Sequence, residues 1–197
     1  MLGRHDKGHF WGISRDMRSG VPNALRAGLS VLAATLVAAC AGDRDPPSIG
    51  EPSFYRSMAV SGAQVDAGAA ASMISGYRKN NGLGAVLVDP ALMKIAAEHA
   101  RAMASRDRLD HELGGRSFTA RIAGSGYDAK AAYENIGAGY HTLAEAFSGW
   151  RGSPGHRANM LRRDVNHIGI AAAYAPRSKY KVFWALVLAS PDDRKRR

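Results

Sequence analysis

The only cysteine of the chain, Cys40, ends an uncharged apolar stretch that begins after Arg26. A chain with a single cysteine cannot form an intramolecular disulfide, so its folded part must be held together by a hydrophobic core. Hydrophobic residues make up 46% of the 197 residues and charged residues 22%, which is close to the average of globular proteins. This length and composition predict one domain that folds without covalent cross-links.

The apolar stretch has the features of an export signal. Residues 27–39 carry no charge, follow a basic residue and end in small side chains. The stretch is too short for a membrane-spanning helix, which needs about 20 apolar residues. The last four residues, Val-Ala-Ala-Cys, resemble the lipobox of bacterial lipoproteins, in which the cysteine receives a diacylglycerol. We therefore predict a signal peptide over residues 1–40 and membrane attachment through a lipidated Cys40, with a chance cysteine as the alternative.

The segments on either side of the expected domain differ from it in composition. Residues 1–16 carry mixed charges that are unusual in front of a signal peptide, so Met17 is the more natural translation start. A long charged leader is the alternative. Residues 41–65 begin with a stretch rich in proline, glycine and charge and are predicted to form a flexible tether. Residues 191–197 are predicted to be a solvated basic tail.

The charge of the chain is strongly positive. The formal net charge is +10, and residues 41–197 contain 22 Lys and Arg side chains against 15 Asp and Glu. A basic surface attracts the anionic lipid headgroups and wall polymers of a cell envelope. Nucleic acid is the competing partner of a basic protein, but the export signal argues against it, so no nucleic-acid partner is predicted.

The pattern of apolar residues predicts helices first and strands last. Asp89 followed by Pro90 is a favourable helix start, and apolar residues then recur at spacings of three and four. Thr142 and Glu145 fit a capping box. Such an order of elements favours an α+β layered domain over a parallel βαβ sheet. The expected helices begin near residues 66, 90, 117, 142 and 153, and the expected strands lie near residues 133–137, 168–174 and 180–188.

Three segments resemble the bacterial branch of the CAP family, also called the SCP, PR-1-like or cysteine-rich secretory protein family. They are Glu-Asn-Ile at residues 134–136, Trp-Arg-Gly-Ser-Pro-Gly-His-Arg-Ala-Asn-Met-Leu at residues 150–161, and His-Ile-Gly-Ile at residues 167–170. His111 matches an upstream histidine of the family. The resemblance implies a CAP domain over residues 66–190, an α-β-α sandwich with a central antiparallel sheet. It also implies a groove lined by His111, Glu134 and His156.

These three groove residues have a chemistry of their own. Two imidazoles and a carboxylate can bind a divalent metal such as zinc and leave a position for water. A neutral imidazole is also suited to proton transfer near pH 7. A core of this size should fold without a metal, so no cofactor is required and a divalent cation is the candidate. Without the resemblance, the distances in sequence leave it open whether His111, Glu134 and His156 converge.

One departure from the family pattern concerns its second glutamate. Many eukaryotic members have this glutamate three residues after the tryptophan, where this chain has Ser153. Glu145 is explained by its capping box, and His99 is expected to be a packing residue rather than a ligand. Ser117, Thr142 and Ser153 are expected to cap helices rather than to act as nucleophiles. No hydrolase elbow or phosphate-binding loop is present in the sequence.

Two functions remain open at this point. The first is an envelope-anchored binding module for a lipid, a cell-wall component or a protein partner. The alternative is a metal-assisted, peptidase-like hydrolase in which His111, Glu134 and His156 hold zinc and its water attacks a carbonyl, although no general base can be named. Export and lipid anchoring are expected in either case. Ala41 and Gly42 lack the aspartate that retains lipoproteins at an inner membrane, which favours the periplasmic face of an outer membrane in a two-membrane cell.

Overall fold

The computed structural model describes residues 50–192. The signal peptide, the lipidated Cys40, the Met17 start and most of the basic tail fall outside the described residues, so they remain predictions. The regular elements, in chain order, are a 3-10 helix Ser53–Tyr55, α1 Ala67–Lys79, β1 Leu87–Val88, α2 Pro90–Arg106, α3 Phe118–Ala123, β2 Ala129–Ala138, α4 Leu143–Gly152, α5 Pro154–Met160, β3 His167–Tyr174 and β4 Val182–Pro191.

The described strands form one sheet in the order β1-β3-β4-β2. Strand β4 is antiparallel to both of its neighbours, and β1 is a two-residue strand parallel to β3. Helices cover both faces, which confirms the α-β-α sandwich with a central antiparallel sheet. The sequence did not predict β1, because its two exposed residues are too few to form a pattern.

Strand β4 explains why two helical layers are needed. All of its residues from Val182 to Ala189 are buried, as expected of a central strand covered on both faces. Alternate side chains point to opposite faces of a strand, so this continuous run divides between two cores. One core receives Val182, Trp184, Leu186 and Leu188 with buried residues of α1, α4 and α5. The other receives Phe183, Ala185, Val187 and Ala189 with buried residues of α2 and α3.

The predicted helix starts are confirmed, with one difference at α5. The side chains of Asp89, Ser117 and Thr142 each accept a backbone N–H of the first helical turn, and Glu145 completes the capping box. Ser153 stands at the start of α5, but its side chain makes no capping hydrogen bond. Pro154 at the first helical position therefore sets that start by its fixed φ rather than by a hydroxyl cap.

A glycine brings α2 close to the sheet. A Cβ atom added at Gly169 of β3 would lie 2.0 Å from the backbone carbon of Leu92 and 2.3 Å from the nitrogen of Met93. No larger residue can occupy this position unless helix and strand move apart. Gly169 therefore fixes the distance between α2 and β3, and so the width of the space beside this strand.

The packed chain begins earlier than the predicted tether boundary at residue 65. Met58 is buried in the core beside α1 and α4, and Phe54, Ala63 and Val65 pack against the same core. The backbone N–H of Met58 donates to the carbonyl of His141 over 2.7 Å. Proline and glycine near residues 46–52 suggested flexibility, but they do not describe the apolar residues that follow.

Within residues 50–192, no helix combines the length and the apolar character that crossing a membrane requires.

Candidate functional site

Glu134 is a buried carboxylate in the middle of β2. Its side chain is 2% exposed, although β2 lies at the edge of the sheet that the described strands form, next to β4. A buried charge is tolerated when opposite charges and hydrogen-bond donors surround it. Around Glu134 these come from His111, in the loop after α2, and Arg121 of α3.

Both carboxylate oxygens of Glu134 are engaged. Arg121 Nη2 donates to Oε1 over 2.5 Å, and a hydrogen bond of 2.9 Å joins His111 Nδ1 to Oε2. Arg121 also donates from Nη1 to the backbone carbonyl of His111 over 2.6 Å. The guanidinium therefore holds both the carboxylate and the loop that carries the histidine, and it orients His111 against Glu134.

These contacts keep Glu134 ionised. Burial by itself would raise the pKa of this carboxyl, but the hydrogen bonds from His111 and Arg121 outweigh it and hold the pKa below its ordinary value. A carboxylate in this state is a poor proton acceptor near pH 7, because protonation would cost both hydrogen bonds. Glu134 is therefore suited to holding its neighbours in place rather than to acting as a general base.

His99 of α2 belongs to the same cluster, which the sequence did not predict. Its side chain is 1% exposed, and Nε2 lies 3.8 Å from Glu134 Oε2 without a hydrogen-bond partner among the described residues. Burial lowers the pKa of His99, while the negative charge of Glu134 acts in the opposite direction. His99 is buried as expected of a packing residue, but its hydrogen bonding is not complete, because the ring faces the buried carboxylate with one nitrogen unsatisfied.

His156 reaches this region through a second set of contacts. Asn135 Nδ2 donates to the backbone carbonyl of His156 over 2.9 Å, and Asn159 Nδ2 donates to Asn135 Oδ1 over 2.9 Å and to the carbonyl of Glu134 over 3.2 Å. These bonds tie α5 to β2. Burial lowers the pKa of the half-buried His156, and the nearby charge of His111 lowers it further.

The same edge of β2 has a second carbonyl that is satisfied by a side chain. Trp150 Nε1 of α4 donates to the carbonyl of Ile136 over 3.1 Å. Trp150 and Trp184 pack edge to face with ring centroids 6.4 Å apart, which confirms both as core aromatics. The tryptophan and asparagine of the long sequence segment thus complete a sheet edge.

The surface of the site consists of imidazoles with the carboxylate beneath them. The His111 side chain is 54% exposed, whereas Arg121 is 10% exposed and Glu134 is almost completely covered. The structure therefore brings His111 and Glu134 into contact and places His156 near them. What it presents to solvent is His111 and part of His156, and not the Glu134 carboxylate.

A zinc ion does not fit this arrangement. Two histidines and a carboxylate would be a suitable donor set, but the fixed positive charge of Arg121 already neutralises Glu134. Within residues 50–192, no group of three or more His, Cys, Asp and Glu side chains is arranged to hold a metal ion. The zinc site stays a prediction without support from this geometry, and titration is its test.

The chain belongs to the CAP family. The family model for CAP, the cysteine-rich secretory protein family, matches residues 71–188. The uncharacterized protein YkwD of Bacillus subtilis (strain 168) is 33% identical over 95 residues, which are 47% of this chain and 37% of YkwD. The match thus spans well under two thirds of that relative.

Two solved structures share the fold. An outer surface protein from Borrelia burgdorferi superimposes with a TM-score of 0.58 at 20% identity, covering 66% of this chain and 98% of the other. An extracellular protein containing an SCP domain from Bacillus anthracis str. Ames gives a TM-score of 0.55 at 20% identity, covering 62% and 39%. At this identity the likeness supports the fold alone, and it agrees with the α-β-α sandwich.

Proposed function

We propose that this protein is an exported, envelope-anchored CAP domain that binds its ligand through the surface around His111 and His156 and catalyses no reaction there. One observation carries the proposal: both oxygens of the Glu134 carboxylate are held, by Arg121 and by His111. Glu134 is therefore not free to act as a general base, and within residues 50–192 no group of three or more His, Cys, Asp and Glu side chains is arranged to hold a metal that would activate water. The imidazoles of His111 and His156 are the remaining bases, and peptide cleavage is the test of their activity.

The exposed imidazoles define the chemistry of the ligand. His111 Nδ1 donates to the Glu134 carboxylate, so a ligand meets the Nε2 atom of His111, which suits the polar groups of a cell-wall component or a protein. The basic surface adds attraction to anionic lipid headgroups and wall polymers. A lipid, a wall component and a protein partner can each supply polar groups to the imidazoles. A wall polymer supplies polar groups to the imidazoles and negative charge to the basic surface, so we favour it.

Export is supported by the N-terminal sequence and by the names of two structural relatives, and anchoring is supported by the N-terminal sequence. The apolar stretch ending at Cys40 has the form of a lipoprotein signal. The two structural relatives are named as an outer surface protein and an extracellular protein. We therefore propose a diacylglycerol on Cys40 and an outer-membrane position in a two-membrane cell. Intact-mass analysis of membrane fractions measures the lipid, and an unlipidated soluble chain, or no mass change with Cys40→Ser, would contradict it.

The binding function is tested by sedimentation of the chain from Cys40 onward, carrying Cys40→Ser, with isolated cell walls or with anionic lipid vesicles. We expect co-sedimentation with walls that weakens severalfold in His111→Ala and His156→Ala. His141→Ala is the matched control, because His141 is also exposed and lies outside the Glu134 cluster. Unchanged binding in both groove variants would remove the groove from the function.

Two measurements on the same chain distinguish the hydrolase alternative from the binding module. They are calorimetric zinc titration and cleavage of a broad peptide library. We expect no zinc binding that depends on His111 and His156, and no cleavage of the library with or without zinc. Zinc binding that both variants abolish, accompanied by peptide cleavage, would replace the binding module with the metal-assisted hydrolase.

A further inference from the structure

Strand β3 has an open edge at the side of the sheet opposite to Glu134. In the order β1-β3-β4-β2, the neighbour of β3 on this side is β1, which pairs only with His167 and Ile168. The rest of β3, from Gly169 to Tyr174, pairs with β4 on its other side only. Among the described strands, none therefore lies beside most of β3 on the side of β1.

The direction of the backbone groups along this edge follows from the hydrogen bonds at its beginning. Asp89 donates its backbone N–H to the carbonyl of Ile168, so Ile168 faces the β1 side. Two residues further on, the N–H of Ile170 contacts Met93 Sδ at 3.2 Å on that side. Successive residues of a strand alternate in direction, so Ala172 and Tyr174 also turn their N–H and C=O groups outward.

Within residues 50–192, these outward groups have no hydrogen-bond partner. Among the described residues, no hydrogen bond on this side uses the backbone N–H or carbonyl of Ala172 or Tyr174. Ala172 is half-buried and Tyr174 is exposed. A row of unpaired backbone groups along a strand is a template for pairing with another extended chain.

A cavity of about 630 Å³ runs along this edge. Residues 60–65 form one wall, and Met93, Ala97 and Arg101 of α2 form the other. Its floor is β3, where Ala171, Ala172 and Ala173 leave room because their side chains are small. A second cavity of about 430 Å³ continues it towards Ser178 and shares Arg101 and Tyr174 with it. We call this combined space the edge slot.

The charge at the slot is positive. Arg101 lines both cavities and is exposed, and no carboxylate of the described residues lies within ion-pair distance of it. Arg177 lines the second cavity as well, and so does the Asp107 carboxylate, which accepts a hydrogen bond from Ser178. The two arginines leave a net positive charge along the slot, which is complementary to a negatively charged group at Arg101 rather than beside Ser178.

We propose that the edge slot binds an extended peptide, which adds to β3 as a further strand and places a carboxylate near Arg101. Only another backbone offers N–H and C=O groups at the spacing that Ala172 and Tyr174 present. A lipid chain would fill the apolar part of the slot but leave these groups unsatisfied. Small or branched apolar side chains suit the peptide, because the alanine floor and the two walls accept alternate residues. The slot is separate from the His111 surface, so either site can exist without the other.

The test uses a fluorescein-labelled peptide of alternating valine and threonine with a free C-terminal carboxylate, titrated against the chain from Cys40 onward with Cys40→Ser. Fluorescence anisotropy reports binding. Amide hydrogen exchange reports Ala172, whose N–H should exchange faster than those of Ala171 and Ala173 and become protected by the peptide. The comparison peptide carries N-methyl groups on two consecutive central residues, which blocks both of its edges while its side chains remain.

We expect the N-methylated peptide to bind about tenfold more weakly. Arg101→Ala should lower the affinity for the peptide with a free carboxylate by about threefold and leave the affinity for the same peptide with a C-terminal amide unchanged. Arg106→Ala, on the same helix outside the slot, should change neither affinity. Equal binding of the methylated peptide, or no binding of either, would overturn the proposal. So would a dimer in light scattering whose Ala172 amide is protected without peptide, because a second copy would then occupy the edge.

Discussion

The two edges of the sheet differ in whether side chains bond to the backbone groups that face outward. On the β2 side, the carbonyls of Glu134 and Ile136 accept hydrogen bonds from Asn159 and Trp150, and helices α4 and α5 are thereby fixed to the strand. On the β3 side, Ala172 and Tyr174 find no such donors among the described residues. A sheet edge that is satisfied by side chains supports a rigid site, whereas an unsatisfied edge can bind another chain.

The difference lies in which residues approach each edge. Polar side chains with long reach surround β2, and they satisfy a buried charge together with the backbone. Alanine, methionine and a solvent-exposed arginine line the open part of β3, with Ser61 and Gln64 on the facing wall, and none of these described side chains bonds to Ala172 or Tyr174. The rigid side is therefore sensitive to loss of a polar partner, while the open side is sensitive to changes in shape.

The largest effect is expected at Gly169, where the shape of the open side is set. Gly169→Val would place side-chain atoms inside the backbone of Leu92, so we expect the free energy of unfolding to fall by about 5 kcal/mol. Chemical denaturation measures it. Gly155→Ala is the control, because nothing lies within 4 Å of a Cβ added there. A loss below about 1 kcal/mol in Gly169→Val would show that α2 and β3 can separate easily.

A somewhat smaller effect is expected at Glu134 on the rigid side. Glu134→Leu leaves Arg121 buried without its carboxylate, and breaking a buried pair in this way costs about 3–5 kcal/mol. The double variant Glu134→Leu with Arg121→Met should recover much of that loss, because it removes the uncompensated charge. Denaturation of both single variants and the double variant gives the coupling energy. Simple addition of the two single losses would show that the two side chains act independently.

We expect acid to lower the free energy of unfolding through His99, which lies on the β2 side. Its folded pKa lies below the ordinary value of 6.5, so below pH 6.5 the unfolded chain binds a proton that the folded chain does not. Stability is therefore retained above pH 6.5 and decreases as the pH falls towards the folded pKa. The lowered pKa of Glu134 acts in the same sense at lower pH, where its protonation removes further stability.

The measurement is the midpoint of thermal unfolding between pH 7 and pH 5, compared between the parent chain and His99→Leu. The variant should show a flatter pH profile, although half-buried His156 retains part of the dependence. His141→Leu is the control and should follow the parent profile. A profile that is unchanged in His99→Leu would assign the acid sensitivity to other groups.

The smallest effects are expected at the helix starts that lead onto the β2 side. Thr142→Ala removes a capping hydrogen bond of 3.2 Å and should cost about 1 kcal/mol. Ser153→Ala should cost less than about 0.5 kcal/mol, since the Ser153 hydroxyl makes no capping bond. Denaturation of the two variants side by side distinguishes a hydroxyl cap from a start set by proline. Equal losses would mean that Ser153 caps α5 in solution.

The family resemblance predicted more of the site than the spacing of residues in the sequence. It brought His111, Glu134 and His156 together from positions more than twenty residues apart, and the structure places the first two in direct contact. It gave no indication of Arg121, which lies in a short helix recognised only by its serine cap. It also gave no indication of His99, whose helical spacing is that of an ordinary core residue.

The sequence by itself determined the helices and the three long strands, though not the two-residue β1, because the signals of these elements are local. Capping side chains bond to backbone groups within three residues, and apolar periodicity repeats within a helical turn. The continuous apolar run of β4 is typical of a strand that is buried on both faces. Only the tertiary structure decided which polar groups meet. Arg121 and Glu134 lie 13 residues apart, and Asn159 and Glu134 lie 25 apart. The open edge of β3 was decided in the same way, since strand pairing depends on which chain segments pack beside the strand and no local pattern encodes that choice.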